Sequence, residues 1–233
     1  MMNVNDYVDK LNIIYEDNHL IVCEKFVNVL SQKDITGDID MCEIVKAYIK
    51  NKYNKPGNVY LGLVHRLDRR VGGVMVFAKT SKAASRLSGD IANHNMVKKY
   101  LCVCKGEVEK CGNICLKISK DEKNNVAILD KNGKEAKLEY ELIGIKNNNS
   151  LVDVNLLTGR YNQIRFSFAH IFHPILNDYK YDKTCPANKL DLALFCYYLE
   201  FTHPVTKEVM KFCIKPNGKV WDEYKQMINE YIK

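Results

Sequence analysis

The sequence predicts an α+β fold built on a largely antiparallel sheet. Three observations carry this. Short apolar runs suited to strands recur along the chain, from IIYE at residue 13 to LALFCYYLEF at residue 192. Turn-forming residues separate them, as in Asp17-Asn18-His19 and Lys131-Asn132-Gly133-Lys134. A few stretches of helical spacing interrupt these strand runs.

Taken in order, IIYEDNHLIVCEKF reads as two strands about the turn at residues 17–19. Residues 41–53 read as a helix, with apolar positions 41, 44, 45, 48 and 49 on one face and a cap from Asp40 and Glu43. VMVFAK is a strand, and Ser81 caps a helix carrying Ala83, Ala84, Leu87 and Ile91 on one side. YLCVCKG, ICLKI, NVAIL, AKLEYELIGI and SLVDVNLL form a run of strands. Residues 160–171 are helical, LALFCYYLEF is a strand ending at His203-Pro204, and residues 220–231 form a last amphipathic helix through Trp221, Tyr224 and Ile228.

With 46% hydrophobic residues among 233, the chain can bury a good-sized core. It has no apolar run of about 18 residues that would span a membrane. Its first ten residues, MMNVNDYVDK, are polar and unlike a secretory signal, so a cytoplasmic address is expected. Lysine and arginine exceed acids by 35 to 28, a net charge of +7, which permits a polyanionic partner and also serves solubility. The nine cysteines match no disulfide framework. Cys102-x-Cys104 and Cys111-x3-Cys115 invite a zinc reading, but they lack the CxxC pairs or histidine partners of structural zinc sites. Buried free cysteine in a strand behaves as a small hydrophobe, and no metal is expected.

Chemistry concentrates in three segments. VHRLDRRVGG, residues 64–73, sets one carboxylate, Asp68, among Arg66, Arg69, Arg70 and His65, and ends on paired glycines that let the backbone turn or another chain approach. By residue type alone Asp68 suits a structural salt bridge as well as an active acid. LLTGRYNQIRFSFAH, residues 156–170, brings Arg160, Gln163 and Arg165 to a turn leading into a helix, where an anionic ligand is favoured, though a solvated basic helix start has the same composition. VKKYLCVCKG, residues 97–106, places Tyr100 at the opening of a strand, where a tyrosine is commonly core or rim.

Together these segments resemble the RluA family of pseudouridine synthases. The likeness lies in HRLDRRVGGVMVFAKT, in KKYLCVCKG as a K-x-Y-x4-G strand, and in TGRYNQIR as TGR-x-x-QIR. YEDNHLIVCEK resembles the family's first hairpin and LEFTHPVTKE its closing strand, so the likeness covers nearly the whole chain in order. It implies the pseudouridine synthase fold, a mixed, largely antiparallel central sheet with flanking helices and loops around an RNA-binding cleft. A single catalytic domain over residues 1–233 is expected, with no separate N-terminal RNA-binding domain, since the first hairpin starts by residue 13.

The resemblance implies isomerisation of uridine to pseudouridine in ribosomal or transfer RNA with no cofactor, metal or redox carrier; a monomer is expected, since the sequence offers no obvious self-association helix. Asp68 matches the family's catalytic aspartate, Arg165 the arginine that pairs with it, and Tyr100 the tyrosine that stacks on the uracil or takes the C5 proton. Ile164 matches the apolar residue beneath the base, and Arg66 stands where a side chain enters the RNA stack. His65, Arg69, Arg70, Lys79, Arg160 and Gln163 are the further RNA-contact candidates. Four positions depart from the pattern: Phe26 for proline, Asn162 for histidine, and Phe172 and Asn177 for the glycines of a G-x-P-x-x-G-D turn. The altered hairpin at Phe26 and the Phe172 turn motivate an alternative, an RNA-binding module on the same fold with little or no catalysis.

Overall fold

The structure is a computed structural model that describes residues 3–187 and 190–233. In chain order its elements are α1 Val4–Val8, β1 Ile13–Glu16, β2 Leu20–Lys25, α2 Met41–Lys52, β3 Gly62–Leu63, β4 Gly72–Ala78 and α3 Ser81–Ala92. They continue with β5 Val97–Lys105, β6 Cys111–Asp121, β7 Val126–Leu129, β8 Lys134–Lys146, β9 Asn149–Leu156 and α4 Gln163–His170. β10 Leu194–Thr202, β11 Val209–Cys213, a 3-10 turn Lys219–Tyr224 and α5 Lys225–Tyr231 complete the chain. The α+β class follows directly. The chain divides into two compact units, residues 1–96 with 198–214, and residues 97–197 with 215–233, so β10 contributes to both.

In the first unit the strand order is β1-β2-β4-β10, with β3 also on β4 and β11 on β10. The β1–β2, β2–β4, β3–β4 and β10–β11 pairings are antiparallel. β4 is buried along its whole length, which explains its continuous apolar sequence. Leu20, Val22, Val74, Val76, Ala83, Leu87, Leu199 and Phe201 form the core beneath α3. At the β1–β2 turn Asp17 accepts from the main-chain N–H of His19 and Leu20. Its other oxygen meets His203 Nε2 at 2.9 Å, while His203 Nδ1 accepts from Thr206 N. The two hairpin turns are thereby joined, and the His-Pro sequence after β10 has a structural purpose.

In the second unit the order is β10-β5-β9-β8-β6-β7, antiparallel at β5–β9, β8–β9, β6–β8 and β6–β7. α4 packs on it through Phe168, whose ring lies 5.4 Å from that of Tyr140.

The structure corrects several boundaries. The cap of α3 is Thr80, whose hydroxyl accepts from Ala83 N; Ser81 is the first helical residue. α4 begins at Gln163, not 160, because Asn162 adopts the left-handed conformation (φ 48°) and ends helical continuity on its N-terminal side. The last helix opens as a 3-10 turn carrying Trp221 and Tyr224. α1 was not expected. It is closed by a reciprocal cap in which Asp6 N donates to Asn3 Oδ1 and Asn3 N to Asp6 Oδ2. Tyr7 of α1 lies 5.2 Å from the ring of Phe26, so the residue that replaces the usual proline has an apolar partner.

Candidate active site

The HRLDRR segment is an irregular stretch leading into β4. Its residues differ in exposure without a regular repeat: His65, Leu67 and Arg70 are buried, Arg66 and Arg69 exposed, and Asp68 half-buried. Because this stretch lacks a ladder of its own, contacts from outside hold it. Leu67 exchanges two hydrogen bonds with Ser31: its N–H donates to Ser31 Oγ at 3.1 Å, and its carbonyl accepts from that hydroxyl at 2.7 Å. Arg69 Nη1 pairs with Asp38 Oδ2 at 2.6 Å, and Arg69 Nε donates to Asn28 O. Arg70 N donates to Asp68 Oδ1 at 3.0 Å, which orients the carboxylate. Gly73 has φ 133°, a backbone state reserved for glycine, so the second of the paired glycines is conformationally required.

Lys25 was not among the predicted residues. Its side chain is buried, and Nζ donates to the carbonyls of Phe26, Arg69 and Val71 at 2.9, 3.1 and 2.8 Å. It thereby clamps the main chain on the far side of Asp68. Burial pushes its pKa down to about 7, against the opposing pull of Asp68's charge. The cue in the sequence was a lysine closing a strand that opens on the apolar run Leu20–Cys23.

Two candidates for RNA contact turn inward. His65 Nε2 accepts from Val76 N at 3.1 Å in the buried β4 layer, so that nitrogen is the unprotonated one and the residue serves packing. Lys79 Nζ donates to Glu16 Oε1 and to Asp17 O, both at 2.6 Å, and its side chain is 11% exposed. Glu16 also accepts from Lys52 and from the Tyr48 and Tyr53 hydroxyls. Burial alone would raise its pKa, but Lys52, Lys79 and Tyr53 hold it at about 2. Lys79 is a strut of the β1 end, with its amine engaged by Glu16 and the Asp17 carbonyl.

In the second unit, Tyr100 lies on β5 with Lys98 on the same face, two residues away. Burial, then the charge interaction and hydrogen bond with Cys196 of β10, raise the Tyr100 pKa well above its ordinary value. Its phenol is therefore neutral at physiological pH. A Cβ built on Gly159 would lie 3.8 Å from Lys98 Nζ, which brings the TGR segment to this amine. Burial lowers the Lys98 pKa. Lys98 was visible in the sequence as a basic residue but had no assigned part.

Arg165 is 3% exposed. Its Nε and Nη2 bind the two oxygens of Asp178 at 2.8 and 2.6 Å, a fork-shaped ion pair. Its guanidinium carbon sits 5.3 Å from the Tyr181 ring centre, and the Tyr181 hydroxyl accepts from Ala127 N. Ile164 beside it is also buried. Gln163 is a third inward candidate: its oxygen accepts from Thr158 Oγ1 and Arg160 N, and its amide donates to Lys137 O. Arg160 stays half-exposed, with Nε on Glu135 O.

Asp178 belongs to the altered turn. Phe172 and Asn177 have φ of 65° and 66°, the left-handed backbone that glycine would supply. Asn177 is suited to this and donates to Asp191 O. Phe172 is 90% exposed and holds the turn at a conformational cost. The turn survives both departures.

The cysteines do not converge. Cys102 and Cys104 are buried on β5 with sulfurs 3.7 Å apart, whereas Cys111 and Cys115 are exposed on β6. Among the described residues no three His, Cys, Asp or Glu side chains group as a metal site. No described helix is long and apolar enough to cross a membrane.

The site thus presents one half-buried carboxylate flanked by exposed Arg66 and Arg69 at the entry to a sheet, an arrangement suited to a polyanionic partner. The family model described as RNA pseudouridylate synthase matches residues 19–170, more than half of the chain, so the chain belongs to this RluA-type family of isomerases that act on RNA. It is similar to an uncharacterized RNA pseudouridine synthase of Aquifex aeolicus (strain VF5), 34% identical over 220 residues, which cover 88% of this chain and 69% of that one. It is 28% identical over 216 residues to ribosomal large subunit pseudouridine synthase D of Zymomonas mobilis subsp. mobilis, covering 87% and 68%. The match to ribosomal large subunit pseudouridine synthase C of Buchnera aphidicola subsp. Baizongia pistaciae, 29% identical, covers 84% of this chain and 64% of that one. The chain thus spans about two thirds of the length of these relatives. Human RNA pseudouridylate synthase domain containing 4 shares the fold, with a TM-score of 0.78, 18% identity and 97% of both chains covered.

Proposed function

We propose that this protein isomerises particular uridines of RNA to pseudouridine, with Asp68 as the nucleophile and the target base extruded from its stack. The observation that carries this reading is Asp68 itself, a half-exposed carboxylate on a segment braced from three sides. A group held for packing alone has no need to remain open to solvent.

In the proposed reaction the N1–C1′ bond breaks, the freed uracil turns, and C5 bonds to C1′. The C5 proton leaves and N1 gains one, so atoms and electrons balance without a redox partner. The ionised Asp68 carboxylate attacks C1′ as the N1–C1′ bond breaks, and it leaves C1′ again, as a free carboxylate, when C5 forms its bond there. Tyr100 stacks on the uracil; because its phenol is neutral, stacking suits it better than removing the C5 proton. Arg165 acts on the same nucleotide from the end of its clamp with Asp178, and Ile164 lines the base. Arg66, exposed next to the acid, enters the stack vacated by the uridine. Arg69 and Arg160, which stay open to solvent, serve phosphates; Arg70 is buried, a fourth predicted RNA-contact residue that turns inward.

Ribosomal RNA is the preferred substrate class, because relatives from Zymomonas and Buchnera are named for the ribosomal large subunit. Transfer RNA is the second. The chain's net charge of +7 supports either, and binding should weaken as salt rises. We propose that the protein works as a cytoplasmic monomer.

The test is incubation of the purified protein with unmodified ribosomal and transfer RNA transcripts, followed by base-resolved detection of pseudouridine. A small set of modified uridines in ribosomal RNA is expected. Modification confined to transfer RNA would reverse the substrate preference, and none in either would defeat the reading.

A further inference from the structure

We infer that the loop of residues 31–39, tipped by Ile35, contacts a nucleobase of the RNA beside Asp68. This rests on the RNA-directed reading above and adds to it a residue that meets the bases flanking the target. Ile35 is fully exposed, at 104% of its reference area. A lone exposed aliphatic is ordinary. What sets this one apart is its mounting.

The loop is closed at its base, where Leu30 bridges Asp40 and Met41 N donates to Leu30 O at 2.8 Å. Its first limb is tied to Leu67 by the buried Ser31 hydroxyl. Its second limb is tied to Arg69 through Asp38. Leu67 and Arg69 are the two chain neighbours of Asp68, so both limbs lie against the segment that presents the acid.

The tip is ordered by its own bonds. Asp34 Oδ1 accepts from Thr36 N at 2.8 Å and Thr36 Oγ1 at 2.5 Å, Gly37 N donates to Asp34 O, and Gly37 has φ 73°. The turn therefore holds up a β-branched side chain with few rotamers to lose on contact. Beside an acid that has to reach an extruded nucleotide, a stiff aliphatic wedge suits the apolar face of a base left without its stacking partner. Lys33, exposed on the same loop, suits the neighbouring phosphate. One residue offers too little area for a protein interface, which favours a base over a protein partner.

The experiment measures binding of an unmodified large-subunit ribosomal RNA transcript by the native protein, Ile35→Ala and Ile35→Asp over a series of salt concentrations. Ile35→Ala should weaken binding about tenfold at every salt concentration. The slope of log affinity against log salt should not change, because no charge is altered. Ile35→Asp should weaken binding further. The thermal midpoint should stay put in Ile35→Ala, since the side chain packs on nothing. Unchanged affinity in both variants, or a changed salt slope in Ile35→Ala, overturns the proposal. Pseudouridine formation by the native protein on the same transcript reports separately on the reaction. Its failure would defeat the functional reading while the binding series still judged the loop.

Discussion

Asp68 and Arg165 both stand inside signature motifs, and the protein holds them in different ways. Asp68 rides on an irregular segment whose braces grip its neighbours: Ser31 on Leu67, Asp38 on Arg69, Lys25 on the carbonyls of Arg69 and Val71. The carboxylate takes Arg70 N and remains half-exposed. Arg165 rides on a regular helix, and its grip is on the charged group itself, through the Asp178 fork and the Tyr181 ring. The difference decides what mutagenesis can teach. Removing the Asp68 charge leaves its braces intact, so lost activity there speaks of chemistry. Removing Arg165 leaves the fully buried Asp178 carboxylate without its counter-ion, so lost activity there mixes chemistry with folding.

The largest expected effect tests this contrast. Arg165→Met should destabilise the protein by about 3–5 kcal/mol in denaturant unfolding, the cost of stranding a buried charge. Arg165→Met with Asp178→Asn should recover part of that stability without recovering activity. If Arg165→Met unfolds like the native protein, the clamp is not structural and the contrast fails.

Glu16 sharpens the comparison with a carboxylate whose purpose is structural. Its pKa of about 2 lies below the ordinary 4.5, so its stabilising contribution is fully present above about pH 4.5. That contribution falls away as pH drops toward 2. Glu16→Gln should cost on the order of 2 kcal/mol at pH 7 and show a flatter loss of stability between pH 4.5 and 2. Parallel acid-unfolding curves for the two proteins would contradict the assignment.

The smallest effect concerns the turn that carries Asp178. Phe172→Gly should relieve the left-handed strain and raise stability by about 1 kcal/mol, with part of the gain offset by the greater freedom of glycine in the unfolded chain. A loss of stability on thermal unfolding would mean that the exposed ring makes a contribution larger than the strain.

Much of this was legible in the sequence where a local pattern dictates structure. The first hairpin, α2 with its Asp40 cap, β4, and the run from β5 to β9 follow from periodicity and turn residues. The direction of polar side chains in the motifs was not. His65, Lys79 and Gln163 have the chemistry of RNA contacts, yet each is spent inside: on Val76 N, on Glu16, and on Thr158 with Lys137. An irregular segment has no fixed repeat to say which residue faces in, and each partner is set by a turn or a distant strand. Lys25 and Asp178 escaped for the same reason. Their importance lies in what they reach, 46 residues on for the Lys25–Val71 bond and 13 residues away for Arg165–Asp178. α1 is only five residues long, too short for apolar periodicity to announce it.

The most direct measurement is pseudouridine formation by Asp68→Asn on an RNA that the native protein modifies, with unfolding and RNA binding followed alongside. Asparagine keeps the Oδ1 acceptor for Arg70 N and removes the nucleophile. Folding and affinity close to native, with modification at least a thousandfold slower (about 4 kcal/mol in the barrier), is the predicted result. Modification at a native rate by this folded variant would contradict the claim that Asp68 performs the chemistry.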